Sequence, residues 1–140
     1  MIGDGLSRRL SCVLLVDDSP ADLFLHRLVL EEEGCAEVIH EATNGARALE
    51  WLRAAHAGEY PVPELVFLDI NMPVLDGWGF LEKATSENLV GEGTVVVAML
   101  STSSAPRDRA RATSIPSVVD HLAKPLTVEA LRRVLDGLPS

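Results

Sequence analysis

The chain has 140 residues, of which 47% are hydrophobic and 24% are charged, and its formal net charge at pH 7 is −9. These values are typical of one globular domain and exclude a largely disordered chain. The acidic balance argues against direct binding to nucleic acid or to an anionic membrane surface, because both require a basic surface on the protein.

Five short apolar runs predict β-strands, and several of the runs are continuous rather than alternating. Continuous runs are typical of parallel strands that are covered on both faces of a sheet. The runs occupy residues 12–16, 37–42, 65–68, 94–100 and 118–122.

Helix-start and helix-end signals lie between these runs. Ser19 is the expected N-cap of a first helix, with Pro20 at its first position and Asp22 completing a capping box. Gly34 is the expected end of that helix. The other helices are expected after residues 44–45, 76–77 and 104–106, and from residue 127 to about 138. The alternation (βα)₅ predicts an α/β fold with a doubly wound, five-stranded parallel sheet.

The predicted strand ends carry acids, a hydroxyl and a lysine. The first strand ends in Asp17-Asp18 and the third in Asp69, while Ser101 follows the fourth strand and Lys124 the fifth. Ligand sites in such sheets lie beyond the carboxyl ends of the strands, so we expect these side chains to share one edge. Clustered carboxylates repel one another, which favours a hard divalent cation such as Mg²⁺. A carboxylate can also attack phosphorus to form an acyl phosphate, with cationic groups stabilising the transferred oxygens.

The segments VLLVDDS, LVFLDINMPVLDG, MLSTSS and LAKP, in this order, resemble the receiver domain of bacterial response regulators. The resemblance covers roughly residues 11–138 and is to the CheY-like, stand-alone single-domain type. It implies a flavodoxin-like fold with strand order 2-1-3-4-5. Residues 1–10 are then a short N-terminal extension, and no output domain is expected after the receiver domain.

The resemblance also implies roles for the acids. Asp69 is the implied phospho-acceptor. Asp18 and Asp69 are implied to bind Mg²⁺ directly, and Asp17 mainly through water. The backbone carbonyl of Asn71 would complete the protein ligands of the metal ion.

Three further positions carry implied roles. Lys124 would pair with the phosphoryl group, and its peptide bond to Pro125 would be cis. Ser101 corresponds to the Ser or Thr that turns inward onto the phosphoryl group. His121 stands where the family usually has Tyr or Phe, so the switch is expected to be weaker or to respond to pH. We expect His121 to be half-exposed near the edge of the sheet.

The implied function is a phospho-acceptor switch of a two-component signalling system rather than a metabolic enzyme. A histidine kinase or phosphotransfer protein would phosphorylate it, and the face formed by the fourth helix, fifth strand and fifth helix would change. The output would be binding to a downstream protein or phosphorelay, by a monomer or a phosphorylation-dependent homodimer. Cys12 and Cys35 are too few for a disulfide framework, and no signal peptide or membrane span is evident, so we expect a cytoplasmic protein.

Three other classes fit the sequence less well. A haloacid-dehalogenase-like phosphatase needs Asp-x-Asp, but the second acid is replaced by Asn71, and no cap-domain insertion is present. An interaction module that kept only the fold is disfavoured by the complete acid set with Lys124. A nucleotide-binding domain lacks its glycine motif, since neither G-x-G-x-x-G nor a P-loop follows the first strand.

Overall fold

The computed structural model describes residues 9–91, 95–102 and 106–138, in which five strands alternate with five helices. The strands are β1 (Leu10–Val16), β2 (Ala36–Ala42), β3 (Leu65–Asp69), β4 (Val96–Ser101) and β5 (Val118–Ala123). The helices are α1 (Pro20–Glu33), α2 (Gly45–His56), α3 (Gly77–Ser86), α4 (Pro106–Thr113) and α5 (Val128–Asp136). Strand β1 begins two residues earlier than its apolar run. The expected strand residue Thr94 and the expected helix-start residues Ser104 and Ala105 lie outside the described residues.

All strands are parallel and their order is β2-β1-β3-β4-β5, which confirms the expected flavodoxin-like α/β fold. From β1 the chain passes to β2 on one side and then to β3 on the other side. In doubly wound sheets a ligand crevice opens where the connections diverge in this way. The carboxyl ends of β1 and β3 therefore border the place where a ligand site is expected.

The sheet is covered on both faces, which explains the continuous apolar runs in its strands. Within β1, Leu14 packs in a cluster with side chains of α2 and α3, and Leu15 packs in a second cluster with side chains of α1 and α5. Both leucines are essentially inaccessible to solvent. Alternate strand residues thus enter opposite core layers, and neither layer leaves a polar face on the central strands.

Side-chain caps define where the helices begin. The side chains of Ser19, Asn44, Asp76 and Thr127 each accept a hydrogen bond from a backbone N–H three residues later. Gly34 ends α1 in the left-handed conformation, with φ of 61°. These positions agree with the helix signals in the sequence. In the part of the chain described, no helix combines the length and apolar character needed to cross a bilayer.

Candidate functional site

Three carboxylates meet at the carboxyl ends of β1 and β3. The two strands pair directly, with Val16 opposite Leu68, so the residues that follow lie side by side. Asp17, Asp18 and Asp69 each offer one carboxylate oxygen, and these oxygens all lie within 4.8 Å of one another. Asp17 and Asp69 are only 2% and 3% exposed, whereas Asp18 is open to solvent. The site is therefore a pocket with two buried acids and one at its mouth.

Lys124 supplies the balancing positive charge. It directly follows β5, which lies two strands away from β3 in the sheet. Its backbone N–H donates to the Ser101 carbonyl at 2.9 Å, which fixes the chain just after β5. Its ammonium nitrogen lies 2.7 Å from Asp17 Oδ2, 2.9 Å from Asp22 Oδ2 and 3.3 Å from Asp69 Oδ1. The Lys124 side chain is only 9% exposed. A nearly buried ammonium is thus shared among three carboxylates, which offsets the cost of burying each charge.

The electrostatics of Asp69 reflect this crowding. Burial and the neighbouring Asp17 charge raise the pKa of Asp69 from 3.8 to about 6, although Lys124 and the Asn71 N–H act in the opposite direction. For Lys124, burial alone would lower the pKa, but the Asp17 and Asp22 carboxylates reverse this and raise it. Lys124 is therefore firmly protonated, while Asp69 is the acid whose charge is least well compensated.

Asp22 is a member of the pocket that the sequence analysis did not identify. One of the two hydrogen bonds of the expected capping box is present, since Ser19 Oγ accepts from the Asp22 N–H at 3.2 Å. The prediction of the other is wrong, because the Asp22 carboxylate binds Lys124 and not the Ser19 N–H. The Ser19 N–H donates instead to Asp17 Oδ1 at 2.9 Å. The pocket lysine therefore outcompetes the local N–H for the Asp22 carboxylate, because an ammonium forms the stronger, charge-assisted hydrogen bond. The available signal was the position of Asp22 in the first turn of the helix that follows the acid pair.

The acid cluster has the ligand chemistry of a site for a hard divalent cation. Its potential ligand atoms are all carboxylate oxygens, from Asp17, Asp18 and Asp69. Two of these carboxylates are also held in place by backbone N–H groups, since Asp17 Oδ1 accepts from Ser19 and Asp69 Oδ1 accepts from Asn71 at 3.2 Å. Oxygen ligands held in this way suit cations such as Mg²⁺ or Ca²⁺ and do not suit softer metals. These residues could therefore hold a metal ion.

The remaining positions expected at the site lie around this pocket. Ser101 is the last residue of β4, is 1% exposed and pairs in register with Ala123, next to Lys124. Asn71 follows β3 by two residues and is exposed. The peptide bond between Lys124 and Pro125 is cis.

His121 is more deeply placed than expected. Its exposed fraction is 7%, so the expectation of a half-exposed side chain is wrong. Helix α4 lies against β5, and its Arg109 and Asp108 are close enough to influence the imidazole. Burial lowers the pKa of His121, and the nearby Arg109 charge adds to this effect. Within the described residues, neither ring nitrogen has a hydrogen-bond partner. A neutral imidazole thus sits in an unsatisfied, desolvated position between the sheet edge and α4.

The match to a family model agrees with this geometry. Residues 13–136 match the model of the response regulator receiver domain. The chain belongs to this family. A receiver domain is a signalling switch of two-component systems rather than a metabolic enzyme, and the acidic pocket at the ends of β1 and β3 is consistent with a phospho-acceptor site.

Similar proteins include both archaeal and plant regulators. The receiver domain is 34% identical over 127 residues to the probable methanogenesis regulatory protein FilR2 of Methanothrix harundinacea, covering 90% of this chain and 79% of that protein. It is 33% identical over 131 residues to the two-component response regulator ORR41 of Oryza sativa, covering 93% and 95% of the two chains. The chain spans only 22% and 14% of two longer curated relatives.

Solved structures have the same fold. A two-component response regulator from Cytophaga hutchinsonii superposes with a TM-score of 0.84 at 30% identity, and the match covers 92% of this chain and 96% of that one. The fold is therefore that of known receiver domains.

Proposed function

We propose that Asp69 accepts a phosphoryl group from a phosphohistidine of a histidine kinase or a phosphotransfer protein. The observation that supports this most directly is the placement of the buried Asp69 carboxylate, with a lysine ammonium at 3.3 Å and two further acids within 4.8 Å. A carboxylate nucleophile needs cationic groups around the reacting phosphorus, and this pocket offers both a lysine and a candidate metal site.

The proposed reaction is a phosphoryl transfer between two protein side chains. An Asp69 carboxylate oxygen attacks the phosphorus atom, and an O–P bond forms as the P–N bond of the donor phosphohistidine breaks. The bonding electrons leave with the imidazole nitrogen of the donor. The Lys124 ammonium and the Ser101 hydroxyl then bind phosphoryl oxygens. Later attack by water on phosphorus releases phosphate and restores the carboxylate.

We place Mg²⁺ beside Asp69 in this proposal. Asp18 and Asp69 would bind it directly, Asp17 through water, and the Asn71 backbone carbonyl would complete the protein ligands. When bound, Mg²⁺ supplies positive charge to the phosphoryl oxygens. The protein contributes the buried position of Asp69, which excludes bulk water, and the N–H groups that orient two of the carboxylates.

The proposed output is a change in the face formed by α4, β5 and α5. Once a phosphoryl group occupies the pocket, the Ser101 hydroxyl turns toward it and His121 moves with it. His121 supports this because its buried ring nitrogens have no described partner and gain solvent or polar contacts on moving. The changed face then binds a downstream protein or takes part in phosphorelay, as a monomer or as a phosphorylation-dependent homodimer. Both cysteines are free thiols, which agrees with a protein of the cytoplasm.

The test is phosphorylation by a small-molecule donor. Incubation with acetyl phosphate, with and without Mg²⁺, should add the mass of one phosphoryl group only when Mg²⁺ is present. The adduct should be labile to base, and Asp69→Asn should abolish it. Asp136→Asn is the matched control, because it makes the same change at an exposed acid that ends α5 and lies outside the acid cluster. An adduct that persists in Asp69→Asn, or no adduct in the wild type, contradicts the proposal.

A binding measurement tests the metal assignment separately. Asp18→Ala should weaken Mg²⁺ binding by roughly tenfold or more, because losing even an outer partner of a metal ligand typically costs about 10- to 100-fold in affinity. Isothermal titration calorimetry of wild type, Asp18→Ala and the exposed-acid control Asp136→Ala measures this directly. Equal affinity in all three proteins would rule out Asp18 as a ligand.

A further inference from the structure

Asp22 holds Lys124 more closely than the proposed phospho-acceptor does. The distance from the Lys124 nitrogen to Asp22 Oδ2 is 2.9 Å, compared with 3.3 Å to Asp69 Oδ1. Charge-assisted N–H···O⁻ bonds are typically about 2.7–2.9 Å long, so the Asp22 contact is the shorter and stronger of the two. Asp22 lies in the first turn of α1, and its side chain is 32% exposed at the rim of the pocket.

We propose that Asp22 is a positioning residue that draws the Lys124 ammonium away from Asp69 in the unphosphorylated protein and so restrains phosphorylation. This inference rests on the proposed function of Asp69 as phospho-acceptor. In addition, it assigns to Asp22 control over the rate at which Asp69 is phosphorylated.

Asp22 competes with the reacting groups for the Lys124 ammonium. Lys124 has three N–H donors, and three carboxylates surround them. Phosphorylation of Asp69 creates new anionic oxygens that also require the ammonium. A bound cation would share the charge of Asp17 and weaken its hold on Lys124. Asp22 is not among the carboxylates that could hold a metal ion, so its hold on Lys124 would remain.

Asp22 also affects the approach of the phosphoryl donor. Donors of phosphoryl groups are anions, and Asp22 adds a negative charge at the rim of the pocket. That charge repels the donor at the same time as it displaces the lysine from Asp69. Both effects act in the same direction, so replacing the Asp22 carboxylate with an uncharged group of the same shape should accelerate the transfer.

A purely structural role for Asp22 makes a different prediction. The cap of α1 uses the backbone N–H of Asp22 and not its carboxylate, because that N–H donates to Ser19 Oγ. Asp22→Asn therefore leaves the cap intact. The carboxylate interacts most strongly with Lys124 and more weakly with the Ser19 side chain, so the substitution acts mainly on the pocket.

The experiment compares rate constants for phosphorylation by acetyl phosphate at saturating Mg²⁺. Asp22→Asn should react roughly threefold faster or more, as expected when one partly exposed ion pair is removed. Asp22→Glu, which restores the charge, should return the rate toward that of the wild type. Glu32→Gln is the matched control, because it removes one negative charge from an exposed position of the same helix.

Each outcome has a distinct meaning. An unchanged or slower rate in Asp22→Asn overturns the inference, and so does an equal acceleration in Glu32→Gln, because that result indicates net charge alone. If Asp22→Asn and the wild type are phosphorylated at equal rates, only the role of Asp22 fails. If neither protein gains a phosphoryl group at Asp69, the proposed function fails instead.

Discussion

Gly77 lies directly against the backbone of Asp69. A β-carbon added to Gly77 would stand 2.8 Å from the Asp69 carbonyl oxygen and 2.8 Å from the α-carbon of Ile70. Backbone atoms at this distance cannot move aside without shifting the loop between β3 and α3. We therefore expect Gly77→Ala to lower the free energy of unfolding by about 2 kcal/mol, within the range for overpacked interiors.

Urea unfolding monitored by circular dichroism measures the effect. Gly137→Ala is the matched control, because a β-carbon there meets its nearest atoms at 3.5 Å, an ordinary contact. That control should change stability little. A Gly77→Ala protein as stable as the control would show that the β3–α3 loop moves without cost.

Asp69 should lower the stability of the metal-free protein. Its pKa is raised from 3.8 to about 6, mainly by burial and next by the Asp17 charge. The folded value lies above the unfolded value, so the penalty is absent below pH 3.8, grows between pH 3.8 and 6, and is complete at pH 7. We expect Asp69→Asn to increase the free energy of unfolding at pH 7 by about 2 kcal/mol when EDTA is present.

The same variant provides a test of cation binding by stability. Added Mg²⁺ should stabilise the wild type, because a cation that binds only the folded state shifts the unfolding equilibrium. The shift should be much smaller in Asp69→Asn, which loses a carboxylate charge at the site. Denaturant unfolding with EDTA and with Mg²⁺, using Asp136→Asn as control, separates the two effects. Equal stability of wild type and Asp69→Asn in EDTA contradicts the account of burial and repulsion.

Val74 is held in a strained backbone conformation. Its φ is 70°, in the left-handed region that a β-branched residue rarely adopts, and its side chain is fully exposed. Asn tolerates this region much better, and no packing is lost when an exposed valine is replaced. Val74→Asn should therefore raise the free energy of unfolding by about 1 kcal/mol. Val38→Asn is the control, because it makes the same change at an exposed position of β2 where φ is not positive. If Val74→Asn loses as much stability as Val38→Asn, the backbone at Val74 is not strained.

His40 should make the fluorescence of Trp51 sensitive to pH. The two rings are stacked with centroids 4.4 Å apart, and Tyr60 stacks on Trp51 at 5.4 Å. Burial lowers the pKa of His40 from its ordinary value of 6.5, and Arg27 adds to the effect against the opposing Glu41 charge. A protonated imidazole quenches indole emission, so fluorescence should fall with a midpoint below pH 6.5.

A Trp78→Phe background isolates the Trp51 signal, since the chain has two tryptophans. His40→Gln in that background should remove the transition. Because the folded pKa lies below the unfolded value, protonation of His40 also destabilises the folded state as the pH falls below about 6.5. A transition that survives in His40→Gln would assign the quenching to another group.

The fold was accessible from the sequence because its signals are local. The strands are continuous apolar runs, and the helix starts carry cap residues such as Ser19 and Thr127, which need only their near neighbours. The meeting of Asp17, Asp18 and Asp69 also followed, since parallel strands place their carboxyl ends at one edge.

The remaining features depend on contacts between distant parts of the chain. The Asp22 side chain matched a local capping pattern, but a lysine from beyond β5 provides the stronger partner. The burial of His121 depends on α4 lying against an edge strand, which the local pattern of β5 does not indicate. The stack of His40, Trp51 and Tyr60 joins an edge strand, a helix and a loop, so no periodicity predicts it.

The contact between Lys124 and Asp22 joins residues 102 positions apart. A ribosome releases the acids of β1, α1 and β3 long before it releases Lys124, so a nascent chain carries the acids without their ammonium. Under the proposed function, a half-made molecule offers a kinase no working acceptor. Under the proposed function, competence to receive the signal therefore arises only after Lys124 has been synthesised.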